Sequence, residues 1–531
     1  MKKILLNSDW YFKYKTIGNK AADIPGQMIT LPHDAMIGLD CSEDGDRKKG
    51  FYPNVHLLYS KEIYIQSEWK GEYIALQFDG IYKNSRVYVN GVYAGGNRCG
   101  YDRFIIEVHA LLKYGDTNLI TVEADSSCDS RWYSGAGIYR NVYLLRGGKI
   151  HFCPGKVRFS TISANEEEAV LETELYICNE DMLTHEVEAV VELRDGNGNI
   201  AAVSKRAVTL KDRETTRVSW RIYVDDPKLW SPDDPHIYRC TVKLLKEETI
   251  EEVQTETGIR MISLSRKKGF CVNGKTVCMY GGCIHHDNGI LGSAVYKEAE
   301  YRKIRMLKEA GYNAVRCSHN PMSDRYGMLV MAELTDMWNY RKSENDFSEN
   351  FETDWKQSAE ALVNLCFNHP SVVMYSIGNE IRELGRLDGK VICRELANTF
   401  RLLDSTRFIT AGINSMLTVK PGPSAMPEKK KEVDINTVIF DFMDKINEMQ
   451  CAEPVIESTK ETSGILDIVG YNYAEDKQLL DMENFTDWIC VGSETFPKDI
   501  AKNWELVKKY PAILGDFSWT SWDYLGEPGN R

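Results

Sequence analysis

No apolar run in the 531 residues approaches the roughly eighteen needed to cross a bilayer, which excludes a membrane-spanning helix. The opening Met1-Lys2-Lys3-Ile4-Leu5-Leu6 starts like a secretory leader, but Asn7-Ser8-Asp9-Trp10 ends it short of an apolar h-region. The protein is therefore expected to be soluble and cytoplasmic. Blocks of like charge are missing as well. Acids and bases are interspersed at a net charge of −13, which argues against nucleic acid or an anionic membrane as partner. Paired CxxC ladders are absent too. The fourteen cysteines are scattered singly, and Cys271, Cys278, Cys283, Cys317 and Cys366 fall in segments that read as buried strand or helix. They are expected to be reduced core thiols.

What is present is length for roughly three domains and an apolar fraction of 43%, enough for each to have a core. Residues 1–148 alternate short β-rich runs with turn signals, among them Val87-Tyr88-Val89 closed by Asn90-Gly91, a strong hairpin signal. Residues 149–260 hold further β-rich runs, such as Val190-Val191-Glu192-Leu193 before the turn Asp195-Gly196-Asn197-Gly198. About seven strands there predict a small antiparallel sandwich. From 261 to 531 the texture changes to short apolar strands alternating with helical patterns, such as 301–310, where Ile304, Leu307 and Ala310 share a face. Candidate strands lie near 277–281, 314–317, 328–331, 372–377, 408–411, 466–470, 488–492 and 513–519, enough to close a (β/α)8 barrel. Residues 421–463, with Lys429-Lys430-Lys431 and a helical patch near 440–449, predict an insertion over the mouth. The pattern contains no eighth helix, and the barrel is expected to be truncated, a fragment of something longer.

Reactive residues of such a barrel sit at the C-terminal ends of its strands. The fourth strand ends in Gly378-Asn379-Glu380 and the seventh in Ser493-Glu494-Thr495, two carboxylates presented from different sides of the barrel. Burial at such a place favours the protonated form that a general acid needs. Retaining glycosidases use two carboxyl groups about 5 Å apart, one as acid and one as nucleophile. A single strand-end glutamate is as readily a helix cap or an ion-pair partner; two on opposing strands make that reading the lesser one. Arg316 and His319 after the second strand, and His286 and Asp287 after the first, bring further polar groups to the same rim. His286, Asp287 and His319 are also ordinary zinc ligands, but no HxH or HExxH spacing supports a metal site. His285 reads as a structural histidine. Trp519, more than Trp522, is the expected stacking platform for a sugar face. Gly135-Ala136-Gly137 lacks the third glycine of a dinucleotide fingerprint, Arg140 standing there. Asn484-Phe485-Thr486 matches a glycosylation acceptor that a chain without a leader cannot use.

The motifs Leu31-Pro32-His33-Asp34, Asp79-Gly80-Ile81-Tyr82 to Val89-Asn90-Gly91, Ser134 to Arg140, Trp230-Ser231-Pro232, Asn313 to His319 and Gly378-Asn379-Glu380 occur in an order that resembles glycoside hydrolase family 2. The resemblance runs over essentially the whole chain and implies a jelly-roll sugar-binding domain, an immunoglobulin-like sandwich and a catalytic barrel. It implies a retaining exo-hydrolase with Glu380 as acid/base and Glu494 as nucleophile. Asn379, His286, Asp287, Arg316, His319, Asp336, Trp338, Tyr473 and Trp519 are the expected pocket residues. Gly492-Ser493-Glu494-Thr495-Phe496-Pro497 departs from the family's usual nucleophile context, and Met331-Ala332-Glu333 replaces its Asp-Glu-Ala. Glu457 and Asp516 compete with Glu494 in sequence but do not end the seventh strand. Arg316-Cys317-Ser318-His319-Asn320-Pro321 and the ending from Gly515 to Glu527 look most like gut-bacterial β-galactosidases. An Asn-x-Lys carboxylate clamp near the nucleophile, usual in the β-glucuronidase branch, is not found. The alternatives are a β-glucuronidase or β-galacturonidase of the same family, and a non-catalytic glycan-binding protein. The expected partner is carbohydrate, without nucleic acid or membrane; a homo-oligomer is left open. No cofactor is required, and a bound Mg or Na ion is compatible but not indicated.

Overall fold

A computed structural model describes residues 1–45, 47–126, 131–319, 327–419 and 449–525. Asn320-Pro321, the lysine run at 429–431, nearly all of the helical patch at 440–449 and the ending from Gly526 lie outside the described residues.

The first domain is a two-sheet sandwich. Strands Lys2–Leu5, Val142–Gly147, Tyr73–Phe78 and Phe104–Glu107 form one sheet; the other is centred on Trp10–Ile17, Val55–Ile65, Asp116–Ser126, Ser85–Val89 and Val92–Asn97. Strict alternation selects the inner face, so Val55, Leu57 and Tyr59 are buried beside Phe12, Leu76, Phe78 and Val122. The hairpin turns at Asn90-Gly91, both at positive φ (52° and 82°), a conformation these two residues adopt at low cost.

The second domain has seven strands in two sheets. Ile150–Ala164, Glu168–Asn179 and Thr215–Asp225 make the smaller sheet, and Ile200–Leu210, His185–Arg194, Tyr238–Leu245 and Thr249–Thr257 the larger. Cys153 and Cys178 form a disulfide here, with Cα atoms 6.0 Å apart, which corrects the expectation that every cysteine is a free core thiol. Antiparallel pairing of two long strands brings them together from 25 residues apart, a proximity that spacing alone does not reveal. Cys271, Cys283, Cys317 and Cys366 are buried, Cys278 is half-buried and Cys41 is exposed.

The barrel strands close in sequence order, all parallel: β1 Met279–Ile284, β2 Ala314–Cys317, β3 Leu329–Glu333, β4 Val372–Asn379, β5 Phe408–Ile413, β6 Val469–Asn472, β7 Cys490–Thr495 and β8 Ile513–Ser518. The described helices are α1 Lys297–Glu309, α2 Ser348–Cys366, α3 Leu387–Leu403, α4 Glu453–Ser463, α5 Glu475–Asn484 and α6 Ile500–Lys509. α1 buries Ile304 and Leu307, while Ala310 caps it and stays exposed. A three-stranded sheet at Ile262–Ser265, Gly269–Val272 and Lys275–Thr276 precedes β1, and its Phe270 and Val272 join a core cluster with Met279, Leu329 and Leu514. After β8 the chain passes back to the first domain, where the Leu525 carbonyl accepts from the Tyr133 amide.

Candidate active site

Arg316, at the penultimate position of β2, is fully buried and organises the mouth. Its Nε and Nη2 donate to Glu333 Oε2 on β3 at 3.1 and 2.7 Å, and Nη2 also reaches Asn379 Oδ1 on β4 at 2.9 Å. Nη1 donates to Ser493 O and to Glu494 Oε1 on β7, both at 2.9 Å. One guanidinium thus fixes side chains from three strands, which its planar fork of donors suits. Gly412 on β5 leaves the space: a Cβ there would lie 2.7 Å from Arg316 Nη2.

Glu333 accepts twice from Arg316, from Ser376 Oγ at 2.7 Å, and pairs with His319 Nδ1 at 2.6 Å. Burial alone would lift its carboxyl, but Arg316, then His319 and Ser376, hold it below the usual range. Asn379 Oδ1 accepts from Arg316 and Asn472, and its Nδ2 donates to Asp336 at 2.8 Å and lies 3.5 Å from His319 Nε2. Asp336 also binds Lys342 Nζ at 2.9 Å and, in bidentate fashion, Arg131 from the first domain, with Nη2 at 2.9 Å. Burial opposes its ionisation; Arg131 and Lys342 prevail and keep it charged.

Glu494 lies inside β7 and is buried. Burial raises its pKa, with Arg316 opposing and the charge of Glu380 adding to the rise; the Tyr473 hydroxyl hydrogen-bonds to its carboxylate. That phenol is itself pushed far above its ordinary value by burial and then by Glu494 and Glu380, so it stays a donor. Glu380 directly follows β4, half-buried, with its amide on Gly412 O at 2.7 Å and its Oε1 accepting from Asn414 Nδ2 at 3.1 Å. Both Glu380 (φ 46°) and Tyr473 (φ 53°) occupy the left-handed region, which costs about 1 kcal/mol or more for a side-chain-bearing residue and is retained where surroundings enforce it. Trp519 stacks on His319, with centroids 5.3 Å apart at 14°, and Trp132 of the first domain stands 5.4 Å from the same imidazole.

Glu380, Glu494, Asn379, Arg316, His319, Asp336, Tyr473 and Trp519 are therefore brought together. Three expected pocket residues are not. Trp338 has no exposure, donates its Nε1 to Ile377 O at 2.9 Å and packs on Phe351, so it is core behind the site. His286 lies within hydrogen-bonding distance (3.2 Å) of Ser134 O, between Tyr101 and Tyr139, and burial lowers its pKa to about 3. Asp287 accepts from the Leu525 amide, and burial pushes it up to about 6. These two tie the barrel to the first domain and to the segment after β8. His286, Asp287 and His319 do not come together as a metal-ligating group; among the described residues no cluster of three such side chains occurs.

Sequence reasoning missed Arg131, Trp132, Lys342, Asn414 and Asn472, and read His285 as structural. His285 stacks on Tyr524 at 4.3 Å beside Trp519 and Trp132. Burial, then the neighbouring histidines, keeps it uncharged. The conspicuous run from Trp132 to Arg140 was visible, but nothing in it shows that the preceding arginine crosses to another domain.

Family models agree with this architecture along the chain: the glycosyl hydrolases family 2 sugar binding domain at residues 47–147, the family 2 model at 156–260, and the family 2 TIM barrel domain at 264–517. The chain belongs to glycoside hydrolase family 2. A family 2 relative, beta-galactosidase BoGH2A of Bacteroides ovatus, is 30% identical over 98% of this chain and 68% of its own length. A Bacteroides fragilis protein named beta-glucuronidase is 28% identical over 77% of this chain and 61% of its own. The crystal structure of a family 2 member from Bacteroides cellulosilyticus matches with a TM-score of 0.88 at 33% identity, covering 99% of this chain and 66% of that one. The chain thus spans about two thirds of the length of these relatives.

Proposed function

We propose that the protein is a retaining exo-β-glycosidase acting on terminal β-D-galactosides, with Glu380 as acid/base and Glu494 as nucleophile. The observation that carries this reading is the convergence of two strand-end carboxylates held in different ways. Glu494 is buried, anchored by Arg316 and Tyr473; Glu380 is half-buried and touched by one amide. A nucleophile needs a fixed trajectory, whereas an acid/base must exchange protons with the leaving group and with water.

Glu380 protonates the glycosidic oxygen as a Glu494 oxygen attacks the anomeric carbon, forming a glycosyl-enzyme ester; Glu380 then deprotonates the water that cleaves it. Arg316 helps keep Glu494 ionised against burial, and the Tyr473 hydroxyl releases or retains its hydrogen bond as the carboxylate becomes an ester. Asn379 has one long contact, 3.5 Å to His319, that a sugar 2-hydroxyl replaces at little cost. Trp519 offers an aromatic face to the ring.

The galactoside is supported by the B. ovatus relative's name and its wider alignment. A β-glucuronidase or β-galacturonidase is the second reading, favoured by Arg131 and Lys342, two cations converging on Asp336 beside Asn379. Hydrolysis of 4-nitrophenyl β-galactoside and β-glucuronide by the parent chain, Glu380→Gln and Glu494→Gln decides. Galactoside turnover lost in both variants supports the assignment, glucuronide turnover moves the substrate, and undiminished turnover in either variant removes that residue's role.

A further inference from the structure

At the end of the barrel opposite the mouth, a cavity of about 470 Å³ opens between the second domain and the starts of β4 and β5. Phe159 and Thr161 line it from the second domain, Arg260 from the link between domains, and Arg401, Arg407 and Phe408 from the barrel.

Its electrostatics are unbalanced. Arg260 is 7% exposed and has no carboxylate partner among the described residues. Its Nε and Nη2 donate to the Pro370 and Val372 carbonyls, and its Nη1 has no acceptor among the described residues. Asp404 cannot serve it, being occupied by Arg407 Nη1 at 2.7 Å, the Tyr375 hydroxyl at 2.9 Å and both donors of Thr406. Asp467, the acid on the cavity wall, accepts from Arg401 Nη2 and from the Ile409 amide, both at 2.8 Å. Among the described residues Arg401 commits Nη2 alone, leaving Nε and Nη1 without acceptors there. Three guanidiniums thus accompany two engaged carboxylates, an excess of positive charge at a recess where Arg260 and Arg407 are buried and Arg401 is partly open to solvent. Burial and then Arg407 lower the Arg260 pKa to about 9, the direction expected of a cation lacking its counter-charge. The uncommitted N–H groups, on Nη1 of Arg260 and on Nε and Nη1 of Arg401, are charged donors that suit the oxygens of a phosphoryl group one at a time. The cavity exceeds one phosphate in volume, and Phe159 and Phe408 supply apolar wall.

We propose that this recess binds a phosphoryl anion, held by Arg260 from the interdomain link and by Arg401 from α3. Occupancy would bridge the two sides of a domain junction and stabilise the folded chain by linkage.

Calorimetry and thermal unfolding of the full chain, with inorganic phosphate and a hexose phosphate against chloride at matched ionic strength, test it. Expected are one site per chain and a rise in Tm with either phosphate. Arg401→Gln, on a side chain partly open to solvent, is expected to fold with an unchanged Tm in chloride and to bind about tenfold or more weakly. Arg260→Gln should abolish binding; Arg401→Gln keeps the test decisive should that variant not fold. Tighter binding of the hexose phosphate would identify a phosphate ester, and equal binding the free anion. No phosphate response beyond chloride, or undiminished binding by Arg401→Gln, overturns the proposal.

Discussion

At the scale of single residues, Glu333 carries more of the site than its position suggests. It touches no proposed reacting atom, yet it is the acceptor on which Arg316, His319 and Ser376 all depend. Removing one partner of a buried ion pair typically costs about 3–5 kcal/mol when the remaining charge has no other counter-charge; Arg316 keeps Glu494, which puts the cost here at about 3 kcal/mol or less. Glu333→Gln is accordingly expected to lower the free energy of unfolding by about that amount. It should also depress kcat, because Arg316 no longer aims Glu494. Urea denaturation alongside turnover measures both; a variant that loses turnover at unchanged stability would show that Arg316 does not need its second carboxylate. That hub was legible only in part. Glu333 stands where the family places a carboxylate, so its presence could be read, but its partners come from β2, β4 and the segment after β2, and side-chain convergence of that kind is not a sequence pattern.

At the scale of elements, the strands were legible because a buried parallel strand is a short apolar run bounded by turns, and all eight barrel strands fall where such runs occur. Their ends were less so. β7 continues through Ser493 and Glu494, since in a barrel polar side chains can point inward and remain in the ladder. The same seam holds a testable electrostatic cost. Asp516 of β8 is 6% exposed and accepts from Thr495 Oγ1 at 2.7 Å and Asn503 Nδ2 at 3.0 Å, so β7, β8 and α6 meet on one carboxylate. Burial raises it from 3.8 to about 6, more than those two donors lower it. A carboxyl whose folded pKa is raised stabilises the fold fully below 3.8 and loses that contribution as pH rises through about 6. Asp516→Asn keeps an acceptor without the charge. It should match the parent near pH 3.8 and gain stability up to pH 6, by at most about 3 kcal/mol above it. Unfolding midpoints across that range check the sign; a variant less stable at pH 8 would mean that the ionised form is favoured by the seam.

At the scale of the whole molecule, the site belongs to two domains. The first domain sends Arg131 and Trp132 to the barrel mouth, and other contacts hold it there: Arg98 on Asp354 and Asp102 on Ser358 Oγ along α2, His286 on Ser134, and Tyr133 on Leu525. The family's domain order could be read from motifs, but this reach could not, because domain docking is set by surfaces that carry no periodicity. Asp336 shows the consequence. Four donors meet on it, from Arg131, Lys342 and Asn379, and Asn379 in turn holds Arg316 and Asn472. With Arg131→Ala, Lys342 keeps Asp336 charged but no longer opposes a cation from across the cleft, so Asp336 and the Asn379 amide are free to turn. If the first domain shapes the sugar site, KM for the preferred glycoside rises and kcat/KM falls about tenfold or more, while the thermal midpoint stays near that of the parent. If the arginine serves only to dock the domains, the midpoint falls and the kinetic constants of the folded fraction do not change. Steady-state kinetics on the folded variant, with its melting curve, separates the two.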